Sequence, residues 1–240
     1  MIEDIKKDFD KIKSKTRASH SSSFFKTGPG EYSEGDIFIG AKNPDVKKLV
    51  RKYKKDITFK GTEYFLNHKI HEYRLFALEV LKYKYAKSDE KEKKEIVKIY
   101  LDNIESINNW DLVDISAPHI LGDYLLNYPN ERDIDKKVLY KLAKKNDLWE
   151  NRIAILSTFA FIRNNNFQDF FKIADILLGH EHDLIHKALG WMLREVWKRD
   201  SKVAEKYIEE NYNKLPRTSL RYAIEKMEEK KRKRYLKGEF

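Results

Sequence analysis

From Asp45 to the C-terminus, apolar residues recur about every 3.6 positions, and strict alternation of apolar and polar residues never persists beyond a few positions. This periodicity predicts amphipathic helices and leaves no segment suited to a sheet. Helices of this kind bury their apolar faces by packing against one another. The predicted fold class is therefore all-α.

Related helical segments recur along this region, and each has a basic residue followed closely by a small one. The basic positions are Arg74, Arg152, Lys187 and Arg221, at one or two intervals of roughly 35 to 40 residues, the period of HEAT-like helix pairs. We therefore expect a curved α-solenoid with one cation per repeat on its concave surface, where the cations can follow a phosphate backbone. For Arg74 and Arg221 the alternative is an ion pair that braces neighbouring repeats.

The N-terminal region is predicted to be a helix followed by a functional loop. Residues 1–20 carry apolar residues at helical spacing, whereas serines and glycines are expected to break regular structure from residue 21 to Pro44. The loop is expected to be ordered because it contains Phe24, Phe25, Tyr32, Ile37 and Phe38, which need burial. No linker follows, so we expect one domain over 1–240, comprising the helix 1–20, the loop 21–44 and helical repeats over 45–240.

Charge and composition restrict the function classes. Lys and Arg number 49 against 39 Asp and Glu, giving a net charge of +10, which favours a polyanionic partner, although a Lys-rich composition also serves solubility. The absence of Cys excludes disulfides, thiolate nucleophiles and Cys-ligated metals. No signal peptide and no apolar run of about 18 residues is evident, so the expected location is cytoplasmic.

Trp110 and Asp114 stand four residues apart in the segment Asn-Trp-Asp-Leu-Val-Asp. On a helix this spacing places the indole and the carboxylate on one face, one turn apart. Asn108 or Asn109 is a candidate N-cap, and Pro118 is expected to bend or end the helix. The alternative is a core tryptophan with Asp111 or Asp114 as a capping acid.

Two further segments place basic and aromatic residues on helices. In Leu-Trp-Glu-Asn-Arg, Arg152 is predicted to project away from a buried apolar side and to bind a phosphate bidentately, while Trp149 packs in the core. In Lys-Ala-Leu-Gly-Trp-Met-Leu-Arg-Glu, the residues around Trp191 favour a core position for the indole. The adjacent Gly190 permits close approach of another backbone or a ligand.

Together with the tract from Phe24 to Pro44 and the segment from Arg221 to Glu225, these motifs resemble the AlkD-like DNA alkylation repair glycosylases. The resemblance spans about residues 24 to 236. It implies that Trp191 lines a cleft rather than filling the core. It also implies the catalytic residues Asp114, Trp110 and Trp191, the DNA-binding residues Arg152, Lys187, Arg194 and Lys26, no metal and no cofactor.

The resemblance further implies the reaction, which is hydrolysis of the N-glycosidic bond of cationic N3- or N7-alkylated purines in duplex DNA. Asp114 would stabilise the developing oxocarbenium-like sugar and orient the attacking water. The indoles would complement the positive charge. No lysine nucleophile is needed, so we expect a monofunctional glycosylase. The resemblance also implies that the base stays largely stacked, and a solenoid with capped ends needs no partner, so we expect a monomer.

Other patterns compete with this interpretation. His180, His182 and His186, with Asp183, are spaced as in a possible metal site. Polar residues that precede a helix N-terminus account for the run equally well. His71 and Glu72 are interpreted as a helix cap. The run Lys230 to Arg234 is typical of a solvated helix end, with phosphate contacts at the edge of the cleft as the alternative. The main rival class is a non-catalytic HEAT-like DNA-binding or scaffold protein.

Overall fold

The computed structural model describes residues 1–129 and 134–240. In these ranges the chain is helical, and one isolated parallel bridge, between Ile37 and Ile70, is the only strand-like pairing. The predicted all-helical fold is confirmed. No helix in the described ranges combines the length and apolarity needed to cross a bilayer. The chain forms two compact units, Met1–Ser116 and Ala117–Phe240.

The first unit is organised around one helix that is buried on nearly every side. This helix, α5 (His71–Tyr85), packs against four other helices of the unit, and its polar residues His71, Glu72 and Arg74 are buried. Phe76 of α5 meets the rings of Phe9 and Phe65 edge to face, at centroid distances of 5.8 and 5.4 Å. The helices are α1 Ile2–Ile12, α2 Lys15–Phe24, α3 Asn43–Tyr53, α4 Phe59–Leu66, α5 His71–Tyr85, α6 Glu90–Asp102 and α7 Trp110–Ser116.

The N-terminal region differs from the prediction of one helix followed by a broken segment. The first helix ends at Ile12, and the serines predicted to interrupt regular structure lie inside α2. Ser14 caps α2 by accepting a hydrogen bond from the Arg17 amide. Arg17 in turn donates to the carbonyl of Gly40 at 2.8 Å. Capping and this long-range bond outweigh the modest helix propensity of serine.

The second unit stacks its helices in two rows. The helices are α8 Asp123–Asn127, α9 Lys137–Ala143, α10 Leu148–Arg163, α11 Gln168–Leu177, α12 Asp183–Trp197, α13 Ser201–Glu210, α14 Arg217–Ala223 and α15 Glu229–Lys237. In one row, α12 packs between α10 and α14. Helices α9, α11 and α13 pack on this row, so that successive helix pairs repeat as the sequence predicts. A π-helical turn at Pro118–Gly122 precedes α8, consistent with the predicted disturbance by Pro118.

Gly190 sets the contact between α12 and α14. A Cβ atom added there would lie 2.4 Å from the carbonyl oxygen of Ser219 and 2.6 Å from Cβ of Tyr222. Only a residue without a side chain permits this approach. Of the two roles predicted for Gly190, the structure assigns close backbone packing.

Candidate functional site

Trp110 opens α7 and lies in an aromatic cluster made by the preceding loop. Its half-buried indole stacks on Phe25, with centroids 5.4 Å apart and an interplanar angle of 21°, and meets Phe24 edge to face. Phe24 is 59% exposed. The cluster therefore fixes one side of the indole and leaves an exposed ring beside it.

The stack continues into the unit through Phe25, Phe38 and His71. Phe25 lies parallel to Phe38 at 5.0 Å, and Phe38 lies against the imidazole of His71 at 4.5 Å. Burial of all the apolar residues of the predicted loop was a wrong expectation, because Phe24 and Ile37 remain exposed.

Asn109 anchors the start of α7. Its carbonyl accepts the first helical hydrogen bond, from Val113, and its side-chain oxygen accepts from the Trp110 amide at 2.8 Å. Its side-chain nitrogen donates to the Ser33 hydroxyl of the loop at 2.6 Å. The predicted N-cap position is therefore occupied by Asn109, which also ties the helix carrying Trp110 to the loop.

His71 joins the loop and α7 through two carboxylates. Its Nε2 lies 2.9 Å from Oδ2 of Asp111, and its Nδ1 lies 3.4 Å from Oδ2 of Asp36, which also receives Arg74 at 2.7 Å. Burial disfavours the charged imidazole, but Asp111 and Asp36 outweigh it and raise the pKa of His71 to about 9. Burial likewise opposes ionisation of Asp36, yet His71 and Arg74 hold its pKa below the usual range.

Glu72 binds the other end of the loop. Its carboxylate accepts hydrogen bonds from the amides of Ile39, Gly40 and Ala41, the shortest being 2.7 Å to Gly40. The interpretation of His71 and Glu72 as a helix cap was wrong, because Ile70 occupies the cap position without a side-chain bond. Both residues are buried and hold the loop instead.

The two carboxylates of α7 have different surroundings. Asp111 bonds His71 and accepts from the Leu112 amide, so its oxygens serve the structure. Asp114 is half-buried on the same helix, four residues after Trp110. The predicted helix is confirmed, and its spacing gives the indole and the Asp114 carboxylate a common face.

In the second unit, Trp191 and Phe159 form a half-buried pair. The centroids of these rings, which belong to α12 and α10, lie 5.9 Å apart, and the Arg163 guanidinium lies 5.8 Å from the Phe159 ring. Trp149 is buried, as predicted. The partial exposure of Trp191 differs from the core position that its neighbours alone favour.

The prediction that Arg152 projects away from the buried side of its helix was wrong. The residue is 4% exposed, and its Nη1 donates to the carbonyl of Leu184 at 2.5 Å. The reason is that α10 is covered on almost all sides, so its polar face is also buried. This guanidinium holds the first turn of α12.

The remaining basic residues occupy varied settings. Lys187 forms an ion pair with Asp183 at 2.7 Å within α12, and Arg194 pairs with Glu225. Lys26 is exposed in the loop and has a φ of 57°. Arg74 is ion-paired, as the alternative predicted, but with Asp36 of the loop rather than with another repeat; Arg221 is exposed on α14.

His180 and His182 precede α12, and His182 is its N-cap residue. Nδ1 of His182 accepts from the Leu184 amide, Nδ1 of His180 accepts from the His182 amide, and Nε2 of His186 contacts the His180 carbonyl. Within the described part of the chain, no group of three or more His, Asp or Glu is arranged to hold a metal ion. These bonds match the capping interpretation.

A family model for DNA alkylation repair enzymes matches residues 5–227 of this chain. The chain belongs to the DNA alkylation repair enzyme family. A solved structure described as a predicted DNA alkylation repair enzyme from Enterococcus faecalis is similar in fold, with a TM-score of 0.71 and 17% identity over 90% of this chain and 97% of that one. No curated protein matches the sequence.

In this family member, the predicted site residues are divided between the two units. Trp110 and Asp114 share α7 in the first unit, whereas Arg152, Lys187, Trp191 and Arg194 lie on α10 and α12 in the second. The meeting of the two sets stays a prediction. Sequence reasoning missed the roles of His71 and Glu72. The apolar residues around His71 and Glu72 in the sequence could have indicated a buried helix. Charged residues on such a helix require partners, which would have predicted structural roles for both.

Proposed function

We propose that this protein is a DNA glycosylase that hydrolyses the N-glycosidic bond of N3- or N7-alkylated purines in duplex DNA. The observation that carries the proposal is the pairing of Trp110 and Asp114 on one short helix, in a member of the DNA alkylation repair enzyme family. The indole is held by ring stacking and the carboxylate is half-buried. This combination suits a cationic sugar or base.

The proposed reaction breaks the bond between C1′ of the deoxyribose and the alkylated ring nitrogen. The bonding electrons pass to the base, which leaves without its formal positive charge, and the sugar develops oxocarbenium character. Asp114 stabilises that cation, and water attacks C1′ while the carboxylate accepts its proton. No covalent intermediate with lysine forms, so the product is an abasic site without strand cleavage.

The indoles of Trp110 and Trp191 are proposed to face the cationic nucleotide, each contributing about 0.5 to 2 kcal/mol. Lys187, Arg194 and Lys26 are the proposed phosphate contacts. Arg152, whose guanidinium bonds the Leu184 carbonyl, acts by positioning α12. We further propose that the protein works as a monomer and leaves the base largely stacked.

The test measures release of free base from duplex DNA containing 7-methylguanine. Replacing Asp114→Asn keeps the shape of the side chain and removes its charge, so we expect base release to slow by about 100-fold or more. The matched control is Asp102→Asn, at an exposed position near the end of α6, which should stay within about twofold of wild type. Thermal unfolding of both variants establishes that they are folded.

The outcomes separate the two function classes. Failure of the wild-type protein to release base, with duplex DNA still bound, would favour a non-catalytic DNA-binding or scaffold protein. An undiminished Asp114→Asn variant would remove this carboxylate from the mechanism. Strand cleavage that accompanies base release would contradict the monofunctional reaction.

A further inference from the structure

Helix α15 lies beyond the segment matched by the family model, which ends at residue 227. One face of this helix packs on α13 of the same unit. Tyr235 is 3% exposed and donates to Glu209 at 2.5 Å, and Lys231 binds Glu205 at 2.6 Å. These contacts fix the orientation of α15 about its own axis.

The opposite face carries four cations in a row. Lys230, Lys233, Arg234 and Lys237 fall at positions i, i+3, i+4 and i+7, and all four are exposed. This spacing places them on one side of a helix. We name these four residues the basic stripe.

Nearby acids do not neutralise the basic stripe. Glu229 is engaged by Arg232, outside the stripe, through two hydrogen bonds of 2.8 and 3.0 Å. Lys233 is 3.7 Å from Glu229, and Lys237 is 4.0 Å from Glu239, while both lysine side chains stay about two-thirds exposed. Exposed pairs of this kind are worth little and exchange readily for another anion.

We propose that the basic stripe binds the backbone phosphates of duplex DNA, as a surface separate from the residues assigned to base release. Seven residues of helix rise about 10 Å, which matches the axial length of about three phosphates along one strand. Lysines predominate, and their mobile ammonium groups suit phosphates rather than base edges. The stripe adds affinity that is independent of sequence and of damage.

The experiment compares two variants that lose the same charge. One carries Lys230→Gln, Lys233→Gln, Arg234→Gln and Lys237→Gln; the control carries Lys47→Gln, Lys91→Gln, Lys98→Gln and Lys202→Gln, at exposed but dispersed positions. Binding of each to an undamaged fluorescent duplex is measured between about 50 and 200 mM salt. Each lost phosphate contact lowers the magnitude of the slope of log affinity against log salt by about 0.9. The slope of the stripe variant should therefore fall by about three, and its affinity at low salt should fall at least tenfold.

The slope of log affinity against log salt should fall by less than about one in the control variant. Equal losses in the two variants would overturn the proposal, because net charge alone would then explain binding. Loss of binding to anionic vesicles, with an unchanged DNA slope, would also overturn it and assign the stripe to membranes. If circular dichroism shows that the fourfold variant is unfolded, the double variant Lys233→Gln with Lys237→Gln replaces it. Its slope is expected to fall by about 1.8.

Binding of undamaged DNA does not depend on the glycosylase reaction. If the stripe variant shows the expected loss of slope but the wild-type protein releases no base, the proposed activity is refuted and the stripe proposal stands. Full base release with an unchanged slope in the stripe variant would refute the stripe alone.

Discussion

Nε2 of His71 lies 2.9 Å from Oδ2 of Asp111, the residue next to Trp110. This bond joins α5 to the first turn of α7, and the other imidazole nitrogen faces Asp36 of the loop. Two carboxylates, the buried Asp36 and the partly buried Asp111, are thus matched by two cations, His71 and Arg74. The arrangement stabilises the placement of Trp110 because the loop that carries Phe25 and the helix that carries the indole share one charged centre.

Replacing His71→Gln should destabilise the protein by about 3 kcal/mol at neutral pH, because two carboxylates lose a buried cation. The free energy of unfolding in urea measures this. The control is His20→Gln, an exposed position on α2, for which we expect a change within about 0.5 kcal/mol. Equal stabilities of the two variants would show that the His71 pairs contribute nothing.

The same centre predicts a pH dependence. The pKa of His71 is raised to about 9 from its ordinary value near 6.5. The stabilisation is therefore fully present below about pH 6.5 and is lost as pH rises through about 9. The stability difference between wild type and His71→Gln should shrink by about 3 kcal/mol between pH 6 and pH 10. A difference that stays constant over this range would mean that His71 is neutral in the folded protein.

Replacing Glu72→Gln should loosen the loop at residues 39 to 41. The carboxylate accepts from three consecutive amides, whereas a carboxamide has one acceptor oxygen and no charge, so we expect a loss of about 2 kcal/mol. Hydrogen exchange at these amides should accelerate. Glu95→Gln, on an exposed face of α6, should leave exchange there unchanged; protection retained in Glu72→Gln would indicate that the rings alone hold the loop.

Replacing Gly190→Ala should separate α12 from α14, because the added methyl meets the Ser219 carbonyl at 2.4 Å. We expect a loss of about 2 to 3 kcal/mol, although alanine is the better helix former. Gly179→Ala is the matched control, since a Cβ there has no neighbour within 4 Å. Equal melting temperatures for the two variants would contradict the close packing beside Trp191.

The sequence by itself determined the all-helical repeat fold and the helix that carries Trp110 and Asp114. It also predicted a close approach at Gly190, without deciding between a backbone and a ligand. Each follows from periodicity or from a local steric rule, which act between residues near one another in the chain. The bond by which His182 caps α12 is equally local, although the sequence left a metal site open as the alternative. For the same reason these features could be predicted without coordinates.

Only the tertiary structure decided the roles of His71, Glu72 and Arg152. Each is a charged residue on a helix that is covered on almost every side, and its partner lies more than 30 positions away in the chain. Helical periodicity shows which residues share a face but not what packs against that face. Burial then determines function, because a charged group removed from water binds whichever partner the fold supplies.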